Sequence, residues 1–538
     1  MTYPQQLDTP SNQDPGPSSP GAQVRVGATL AAAFAAPFVS SIANVIPGSL
    51  NGVLQQHFAA QASQLTWITA AFMIPVVVFE LTFGAIGDIY GRKRLMYLGS
   101  LLLLAGSIAS VLAPTVEVMW LGAALNGLGA GALYPTSLAM LAAVVHTPVQ
   151  RTRAIAAWAG FLSLGGAICP IIAGTFANSG WWQGGYALIA VCAVIALVLA
   201  VRATDSSAPE GRQLDLPGQV TFAVGLTVTL WATVQGSEVG WSRPEIIVGY
   251  LLAAGLLAAF IIIELRTPSP LLHLGMFRIR SFTIVGIVTV IGTFGFLVYC
   301  FSTSVWLGVL QHQNAIYIGI IWLVMQGPSF IFAPIIGRLL HSVSPRWLLS
   351  LGFALIAVGG FITAGFDPHD FDWTKFFLPA AFIGIGWALT IASISEVSVN
   401  TVPKSLAGMG SATTNLVRDL GFALGPVVGS AIAFGTANSQ LIPALGALDL
   451  TAEQAGPVLG IAQAGGAIAV NSVPTLPAAA HEVALTVLGI GFQLAFLIGA
   501  IAAAIAAVIT LIGLVGLNKQ GAVEEVIVED HEPVADNV

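Results

Sequence analysis

The chain has 538 residues, of which 56% are hydrophobic and only 8% are charged, and its formal net charge is −7. A soluble globular protein carries roughly 25% charged residues, so this composition excludes a string of water-soluble domains and predicts one helical bundle in a membrane. The net charge does not set the orientation of such a bundle, because the positions of Lys and Arg decide it and acidic residues contribute weakly.

The first and last segments of the chain are predicted to be solvated tails on the cytoplasmic side. Residues 1–25 are rich in Pro, Gln, Ser and Asp, and they lack the basic start and apolar core of a signal peptide. Residues 517–538 form the second tail, which is acidic and carries Glu524, Glu525, Glu529, Asp530, Glu532 and Asp536.

Fourteen apolar segments between the tails are long enough to cross the hydrocarbon core as helices, which takes about 20 residues each. They are 26–50, 65–87, 95–113, 117–145, 154–177, 184–202, 217–235, 245–264, 283–308, 317–340, 346–365, 375–400, 408–434 and 485–516. They predict an N-terminal six-helix half (26–202), two linker helices (203–264) and a C-terminal six-helix half (283–516).

Two segments interrupt this rhythm of apolar runs. Residues 265–282 combine prolines, apolar residues and arginines, which predicts an elbow lying on the cytoplasmic lipid surface. Residues 435–483 are rich in Ala, Gly, Pro and Gln and are predicted to be a long loop on the outside. Thr451 and Gln454 match a capping box, so a short helix is expected within that loop.

Lys and Arg are distributed unevenly between the two faces that these helices define. Of the 18 such residues, only Arg243 and Lys375 fall on one face. Lys and Arg are retained on the cytoplasmic face during insertion, so the asymmetry predicts a cell-membrane protein with both termini in the cytoplasm. If the count were wrong by one helix, every later loop would be assigned to the opposite face, and the uneven distribution of Lys and Arg would disappear.

An internal repeat relates the two halves. Gly84–Arg94, with the sequence GAIGDIYGRKR, follows the second predicted helix, and Gly337–Arg346 is a degenerate copy after the tenth in which a His replaces the first acidic residue. Gly166–Gly174 likewise recurs as Gly421–Gly429. Parallel repeats of this kind are typical of transporters, in which the substrate path lies between the repeated halves.

The GAIGDIYGRKR turn resembles the signature loop of the major facilitator superfamily, which lies between that fold's second and third helices. Gly84 and Gly87 allow two helices to approach closely, and Gly91 permits a tight reversal. Asp88 either caps a helix start or pairs with Arg92. The resemblance implies that this loop clamps the two halves together in the outward-facing state.

The helix around Pro170 resembles the motif that marks the antiporters of this superfamily, a Gly-Pro pair followed by two glycines. Two of its glycines are replaced here, whereas Gly174 is retained, and the repeat copy contains Gly425 and Pro426. Small residues allow a tight crossing and proline removes one backbone hydrogen bond, so these residues predict a pliable contact between helices. The motif favours export over uptake, and simple close packing is the alternative interpretation.

The fourteen-helix count, the Leu214–Gly218 segment and the Glu264–Arg278 segment are similar to those of the fourteen-helix drug:proton antiporter branch of this superfamily. The resemblance covers residues 26–516. It implies two six-helix halves around a cavity that opens alternately to each side, with protons running inward to drive a lipophilic or amphipathic substrate outward. The sequence contains no G-x-x-x-x-G-K-[ST] nucleotide-binding loop, so ATP is not expected to be the energy source. The resemblance implies a proton gradient as the energy source and no cofactor.

The proton-coupling residues that are usual in this branch are absent. Phe38 lies where the first helix commonly has an acid, and Ala123 lies where the fourth helix commonly has an arginine. Glu80 and Glu396 are the candidates for this role, because a charge at the bilayer centre costs about 3 kcal/mol and is normally kept for function. Alternatively, Glu80 pairs with the neighbouring half, and Glu396 reaches Lys404 or water.

Other polar and aromatic residues inside the apolar segments are candidates for lining the substrate cavity, since flat or lipophilic solutes bind among such side chains. For any single aromatic residue, lipid contact or core packing is the alternative. The candidates are Asn126, Tyr134, Trp158, Tyr299, Trp306, Trp322, Gln326 and Trp387. Arg418 and Asp419 are expected either to neutralise each other or to contact the loop that holds Asp88.

The sequence therefore favours multidrug-type efflux coupled to protons. Two alternatives share the fold: an uptake symporter or facilitator, and a lipid carrier with lateral access between helices. An enzyme is not expected, because no His, Cys or Ser constellation is present, and the spacing of the three cysteines predicts no metal site. The expected partners are a small-molecule substrate, protons and membrane lipids, with no nucleic acid, and the expected oligomeric state is a monomer.

Overall fold

The fold is taken from a computed structural model, which describes residues 20–515 with the exception of 146–147, 208–214, 268–269, 271, 273 and 402–406. Within these residues the chain is helical and has no β-strand. Thirteen helices in this described part of the chain are long and apolar enough to cross a membrane. The prediction of an all-helical membrane bundle is confirmed. The predicted tails lie outside the described residues, except that 20–25 begin the first helix.

The N-terminal half contains seven helices, because a short helix follows the first crossing. They are α1 (Pro20–Ser49), α2 (Asn51–Phe58), α3 (Ala62–Tyr90), α4 (Arg92–Val111), α5 (Val116–Val144), α6 (Pro148–Asn178) and α7 (Gln183–Arg202). The linker helices are α8 (Leu216–Val239) and α9 (Pro244–Arg266).

The C-terminal half begins after the predicted elbow, whose described part contains a 3-10 turn at Leu274–Arg278. Its helices are α10 (Arg280–Val305, continued by a π turn at Trp306–Leu310), α11 (Ala315–Ile331), α12 (Ala333–Ser342), α13 (Pro345–Ala364), α14 (Phe377–Asn400), α15 (Ala407–Gly446), α16 (Ala452–Ser472) and α17 (Ala478–Gly513).

The tenth predicted crossing, 317–340, is broken in the structure into α11 and α12. Phe332 lies between them with φ −91° and ψ 0°, and Pro334 follows in the first turn of α12. Proline has no backbone N–H and is favoured in the first turn of a helix, so Pro334 suits the start of a new helix at this point. α11 has only 17 residues, yet together with α12 it provides the fourteenth crossing.

The long loop predicted for 435–483 is mostly helical, which corrects the prediction. α15 continues to Gly446, α16 has 21 residues, and α17 begins at Ala478. The capping box does start α16, because the backbone N–H of Thr451 donates to Oε1 of Gln454 at 3.2 Å. The Ala-rich and Gly-rich composition resembles a loop, but Ala is the best helix former, and tertiary contacts stabilise these helices.

Glycine allows the helices within each half to cross closely. A Cβ on Gly106 of α4 would lie 2.6 Å from the carbonyl oxygen of Gly122 on α5. In the C-terminal half, a Cβ on Gly352 of α13 would lie 2.8 Å from the carbonyl oxygen of Gly386 on α14. The two helix pairs occupy equivalent positions in the repeat, so small residues set the same close crossing in both halves.

Two seams join the halves: α6 packs against α11, and α3 packs against α15. The turn at Arg92 and the segment after Arg202 lie at one end of the bundle, here called the basic end. α2 and the π turn at Trp306–Leu310 lie at the opposite end. There Gly52 contacts Gly308 so closely that a Cβ on Gly52 would overlap the carbonyl oxygen of Gly308. The bundle is therefore closed at the opposite end.

α16 lies over this closed end and contacts both halves. Nε2 of Gln61, at the start of α3, donates to the carbonyl oxygen of Ala464 at 3.2 Å. Nδ2 of Asn471 donates to the carbonyl oxygens of Val309 and Leu310, both at 3.1 Å. It also lies 3.3 Å from Nε2 of His312, a loop residue whose pKa is lowered by burial.

Candidate functional site

The Gly84–Arg94 turn is a tight reversal between α3 and α4. Gly91 has φ +107°, a conformation that side chains other than that of glycine rarely adopt. Arg92 pairs with Asp88 through Nη2 at 2.8 Å and through Nε at 3.0 Å. Of the two roles that the sequence left open for Asp88, the structure shows the ion pair.

Arg92 also ties this turn to two other parts of the N-terminal half. Its Nη1 donates to the carbonyl oxygen of Ala139 on α5 at 3.3 Å, and its backbone N–H donates to the carbonyl oxygen of Ser206 at 2.9 Å. Gly87 leaves room for this arrangement, since a Cβ there would lie 3.2 Å from Leu95. The turn is therefore a rigid unit at the basic end of α3.

Arg418 and Asp419 form an ion pair on α15, with Nε of Arg418 donating to Oδ1 of Asp419 at 2.8 Å. Nη1 of Arg418 also donates to Oδ1 of Asn415 at 3.2 Å, and the guanidinium carbon lies 5.7 Å from the ring centre of Phe422. The backbone carbonyl of Arg418 accepts from Oγ1 of Thr293 on α10 at 3.2 Å. These contacts fix the position of the pair against the C-terminal half.

Glu80 on α3 lies against this ion pair, within hydrogen-bonding reach of the carboxyl group of Asp419. Glu80 is 5% exposed and Asp419 is 2% exposed. Tyr134 on α5 is near enough to interact electrostatically with Glu80, Arg418 and Asp419. The α3–α15 seam thus buries two carboxyl groups, one from each half, beside a single guanidinium.

The charge of this cluster depends on how many protons its two carboxyl groups carry. Oε2 of Glu80 and Oδ2 of Asp419 are buried, with no hydrogen-bond donor among the described residues. A carboxylate accepts hydrogen bonds and cannot donate one, so a hydrogen bond between the two groups forms only when one of them is protonated. With one proton, the cluster of Glu80, Asp419 and Arg418 is neutral. Without it, the cluster holds one uncompensated negative charge in the seam.

Glu396, the second candidate for proton coupling, lies elsewhere. It is half-buried about one turn before the end of α14, close to the basic end. Lys404, its alternative partner, lies outside the described residues. The structure therefore brings Glu80, rather than Glu396, into the seam with Asp419.

The antiporter-like helix α6 crosses α11 at Pro170. A Cβ on Gly319 of α11 would lie 2.8 Å from the carbonyl carbon of Pro170 and 2.7 Å from Ile171. A Cβ on Gly174 would lie 2.8 Å from the carbonyl group of Ala315. The sequence reasoning missed Gly319, although a glycine inside a 17-residue apolar helix is itself a signal of close approach.

The repeat copy of this motif has a different location. A Cβ on Gly425 of α15 would lie 2.6 Å from Cβ of Leu297 and 3.0 Å from the carbonyl oxygen of Phe294, both on α10. Pro426 follows it and is buried. The first copy therefore lies between the halves, whereas the second lies within the C-terminal half.

Three of the cavity candidates lie in the seams or next to them. Tyr134 contacts Trp158 with ring centres 6.4 Å apart, and Nε1 of Trp158 donates to Oγ of Ser137 at 2.9 Å. Gln326 on α11 faces α6, because a Cβ on Gly166 would lie 3.7 Å from its side chain.

Four of the other candidates pack inside one half. The fifth, Trp322 on α11, also faces α1 of the N-terminal half, because a Cβ on Gly48 would lie 3.6 Å from its ring. Trp387 stacks on Phe296 with ring centres 4.3 Å apart. Trp306 is fully buried and lies 6.0 Å from Phe496, which also contacts Tyr299 at 5.6 Å. In the N-terminal half, Asn126 is buried and accepts from Oγ of Ser107 at 3.3 Å. In the C-terminal half, Nε1 of Trp322 donates to Oγ of Ser304 at 2.9 Å.

Metal-binding side chains are not grouped in the part of the chain that the structure describes: no three His, Cys, Asp or Glu residues there are placed to hold an ion. The three cysteines are free, two of them buried and one half-buried.

Known proteins resemble this chain both in sequence and in fold. The family model of the Major Facilitator Superfamily matches residues 30–426. The multidrug resistance protein Stp of Mycobacterium tuberculosis (strain CDC 1551 / Oshkosh) is 28% identical over 384 residues, which cover 71% of each chain. The tetracenomycin C resistance and export protein of Streptomyces glaucescens is 24% identical over 514 residues, which cover 93% of this chain and 94% of that protein.

Solved structures agree on the fold. A crystal structure of a POT family transporter in complex with 5-aminolevulinic acid superposes with a TM-score of 0.60 and 14% identity, covering 90% of this chain and 95% of that one. At this identity the likeness shows the fold alone. Together with the family match and the membrane-spanning helices, it makes the chain a multi-pass membrane protein that belongs to the Major Facilitator Superfamily.

Proposed function

We propose that the protein is a proton-coupled exporter of lipophilic or amphipathic small molecules that works by alternating access. The relatives support this, because they are named for multidrug resistance, for resistance to and export of tetracenomycin C, and for resistance to puromycin. The tetracenomycin relative aligns over nearly the whole length of both chains. Resistance to small organic molecules is therefore common to the names of these three relatives, and export is part of the name of one.

The carboxyl pair of Glu80 and Asp419 is the observation that carries the proposal. One carboxyl moves with each half, so rocking of the halves about the α3–α15 seam changes the distance between them. When they are together they hold a proton, and when they separate into water each ionises. A proton running inward supplies about 2.3 kcal/mol per 100 mV, which drives the substrate outward.

The remaining parts of the site have mechanical roles in this proposal. The Asp88–Arg92 turn, with Gly84, Gly87 and Gly91, is the gating unit at the basic end. Pro170 and Gly174, with Gly425 and Pro426 in the repeat copy, are pivots at close helix crossings. Tyr134, Trp158 and Gln326 face the substrate path, and Trp387 with its aromatic neighbours lies behind it.

The proposal also covers location and partners. The protein lies in the cell membrane with both termini in the cytoplasm, as a monomer in contact with lipids. It uses the proton gradient rather than a bound cofactor or a nucleotide, and it carries out no chemical conversion of its substrate. Glu396 is the second candidate for proton binding. It becomes the preferred candidate if proton-coupled transport does not require Glu80.

Proton release from everted membrane vesicles tests the proposal. Vesicles with an acidic lumen should release protons when ethidium or puromycin is added. Glu80→Gln should abolish this release, because an amide keeps the size and hydrogen bonding of the side chain but binds no proton. Exchange of labelled substrate at equal concentrations on both sides should persist. Glu245→Gln, at an exposed site at the start of α9, is the matched control.

The outcomes separate the competing functions. Substrate movement without proton release indicates a facilitator, and substrate-driven proton uptake in the same direction indicates a symporter. Translocation of a fluorescent phospholipid, with no response to ethidium or puromycin, indicates a lipid carrier. Proton release that survives in the Glu80→Gln and Glu396→Gln double variant contradicts the assignment of these acids.

A further inference from the structure

The linker helices α8 and α9 stand outside the repeat of the two halves, yet α8 contacts the helices that carry the carboxyl pair. It packs against α3, which holds Glu80, and against α15, which holds Asp419. Towards the opposite end, a Cβ on Gly435 of α15 would lie 3.8 Å from Cβ of Ser237 on α8. α8 therefore lies along the α3–α15 seam from the basic end to the opposite end.

Gln219 is the residue of α8 that contacts α3 next to Glu80. Its side chain is buried, being 5% exposed. Its Nε2 donates to the carbonyl oxygen of Val78, and its Oε1 accepts from Oγ1 of Thr82. Val78 and Thr82 lie two residues before and after Glu80, about 200° around the helix from it. Gln219 thus holds α3 from the face opposite the carboxyl group.

The start of α8 fixes where Gln219 lies. Asp215 caps the helix, with Oδ1 accepting from the backbone N–H of Gly218 at 2.9 Å. The backbone N–H of Gln219 donates to the carbonyl oxygen of Asp215, also at 2.9 Å. Glu264, at the end of α9, is buried beside Gly218 and accepts from the backbone N–H of Leu272 at 2.9 Å. The backbone of Gln219 therefore lies in a capped first turn, which fixes the point from which its side chain reaches α3.

A buried amide is costly in an apolar seam unless its polar atoms are bonded, and both polar atoms of Gln219 are bonded to α3. These two bonds join the first turn of α8 to α3. Together they resist rotation and sliding of α3 at the turn that carries Glu80. Because these bonds are on the opposite face of α3, they do not block the contact between Glu80 and Asp419.

We propose that Gln219 is a positioning residue for proton binding, which sets the distance between the carboxyl groups of Glu80 and Asp419 by holding the back of α3. The inserted helix pair then serves the coupling step of the two halves. This inference rests on the proposed function. The charged or titratable groups around the pair are Arg418 and Tyr134. Farther away are Asp88, about two turns along α3 and paired with Arg92 at the start of α4, and Asp215 at the start of α8.

Infrared difference spectroscopy during a pH titration tests this in the purified full-length protein in liposomes, without any substrate. The probe is the carboxylic-acid band that Glu80→Gln removes. In Gln219→Met the midpoint of this band should move to lower pH by about one unit, because a looser pair binds its shared proton roughly tenfold more weakly. Thr82→Val removes one of the two contacts and should give a smaller move in the same direction.

Matched variants separate positioning from general damage. Thr82→Ser keeps the hydroxyl group and should restore the parental midpoint. Gln235→Met changes the same residue type farther along α8, where the side chain is half-buried, and should also leave the midpoint unchanged. If Gln219→Met does not fold, Thr82→Val and Thr82→Ser decide the question.

The failures of the two proposals are distinguishable. If Glu80→Gln leaves the carboxyl band and proton release unchanged, the assignment of the proton site is wrong. If Glu80→Gln removes both, but Gln219→Met and Thr82→Val keep the parental midpoint, the proton site stands and the role of Gln219 is overturned. An equal shift in Gln235→Met would also overturn it.

Discussion

Glu80 and Asp419 come from helices of different halves, and their carboxyl groups lie together inside the α3–α15 seam. The sequence identifies Glu80 because an acid deep in an apolar helix is expensive and is therefore kept for a purpose. It leaves Asp419 as one member of a local pair with Arg418. That local pair is present in the structure, and Asp419 also lies against Glu80. Neither helix contains a sequence pattern that predicts this contact between Asp419 and Glu80.

At the same scale, we expect Asp88→Asn to reduce ethidium efflux by about tenfold, which corresponds to roughly 1.4 kcal/mol. The amide loses the charge that pairs with Arg92, and with it the fixed geometry of the α3–α4 turn. Stability should also fall, by about 1–3 kcal/mol, because Asp88 is only 7% exposed and the partly buried guanidinium of Arg92 loses its charged partner. Efflux from cells, normalised to the protein found in the membrane, measures the effect.

Asp449→Asn is the control for this variant, because Asp449 is an exposed acid between α15 and α16. It should transport like the parent. Equal efflux rates for Asp88→Asn and the parent would remove the gating role from this turn.

At the scale of elements, the α6–α11 seam depends on the absence of a side chain at Gly319. A Cβ there would lie 2.7 Å from backbone atoms of Ile171, which have no freedom to yield. We expect Gly319→Ala to destabilise the protein by about 1–3 kcal/mol, through overpacking, and to slow transport. The thermal unfolding midpoint of the detergent-solubilised protein measures the change.

Gly255→Ala is the matched control, since nothing lies within 4 Å of a Cβ at Gly255 inside α9. There the added methyl should leave stability unchanged or raise it by about 0.5–1 kcal/mol, because glycine is a poor helix former. A midpoint for Gly319→Ala as high as that for Gly255→Ala would show that α6 and α11 separate easily.

α16 is fastened to both halves at the closed end, through Gln61 and through Asn471. Opening of that end requires at least one of these contacts to break. We therefore expect a cross-link between cysteines placed at Gln61 and Ala464 to stop transport, and reduction of the link to restore it. The rate of ethidium efflux before and after adding a reductant measures this.

The single variants Gln61→Cys and Ala464→Cys are the controls, in a background that lacks the three native cysteines. Each should transport normally under oxidising conditions. Full transport by a completely cross-linked pair would mean that α16 moves with α3 during the cycle.

At the scale of the whole molecule, the membrane orientation follows from the distribution of Lys and Arg. We expect a cysteine at Pro457 to react with a membrane-impermeant maleimide on intact cells, because α16 lies at the end opposite the basic turns and Pro457 is exposed. A cysteine at Pro270, between α9 and α10, should react only after the cells are permeabilised. Labelling of Pro270→Cys on intact cells would reverse the proposed orientation.

The amino-acid sequence alone determined the helical class, the fourteen crossings and the glycine-rich turn with Asp88 and Arg92. These are local properties. Hydropathy over about 20 residues identifies a crossing, and the composition of a short segment identifies a glycine-rich basic turn. The main errors were at 317–340, where the helix is interrupted at Phe332, and at 435–483, where an Ala-rich and Gly-rich segment is helical. Both depend on packing, which composition does not describe.

Only the tertiary structure decided which side chains meet. It placed Asp419 against Glu80, Gln219 against Val78 and Thr82, and Gly319 against Pro170. Each of these contacts joins helices that are far apart in the chain. A helix in a membrane satisfies its own backbone hydrogen bonds, so its sequence specifies the helix without specifying its neighbours. The neighbours are selected by shape, by small residues at close crossings and by the few polar groups that must find partners in an apolar interior.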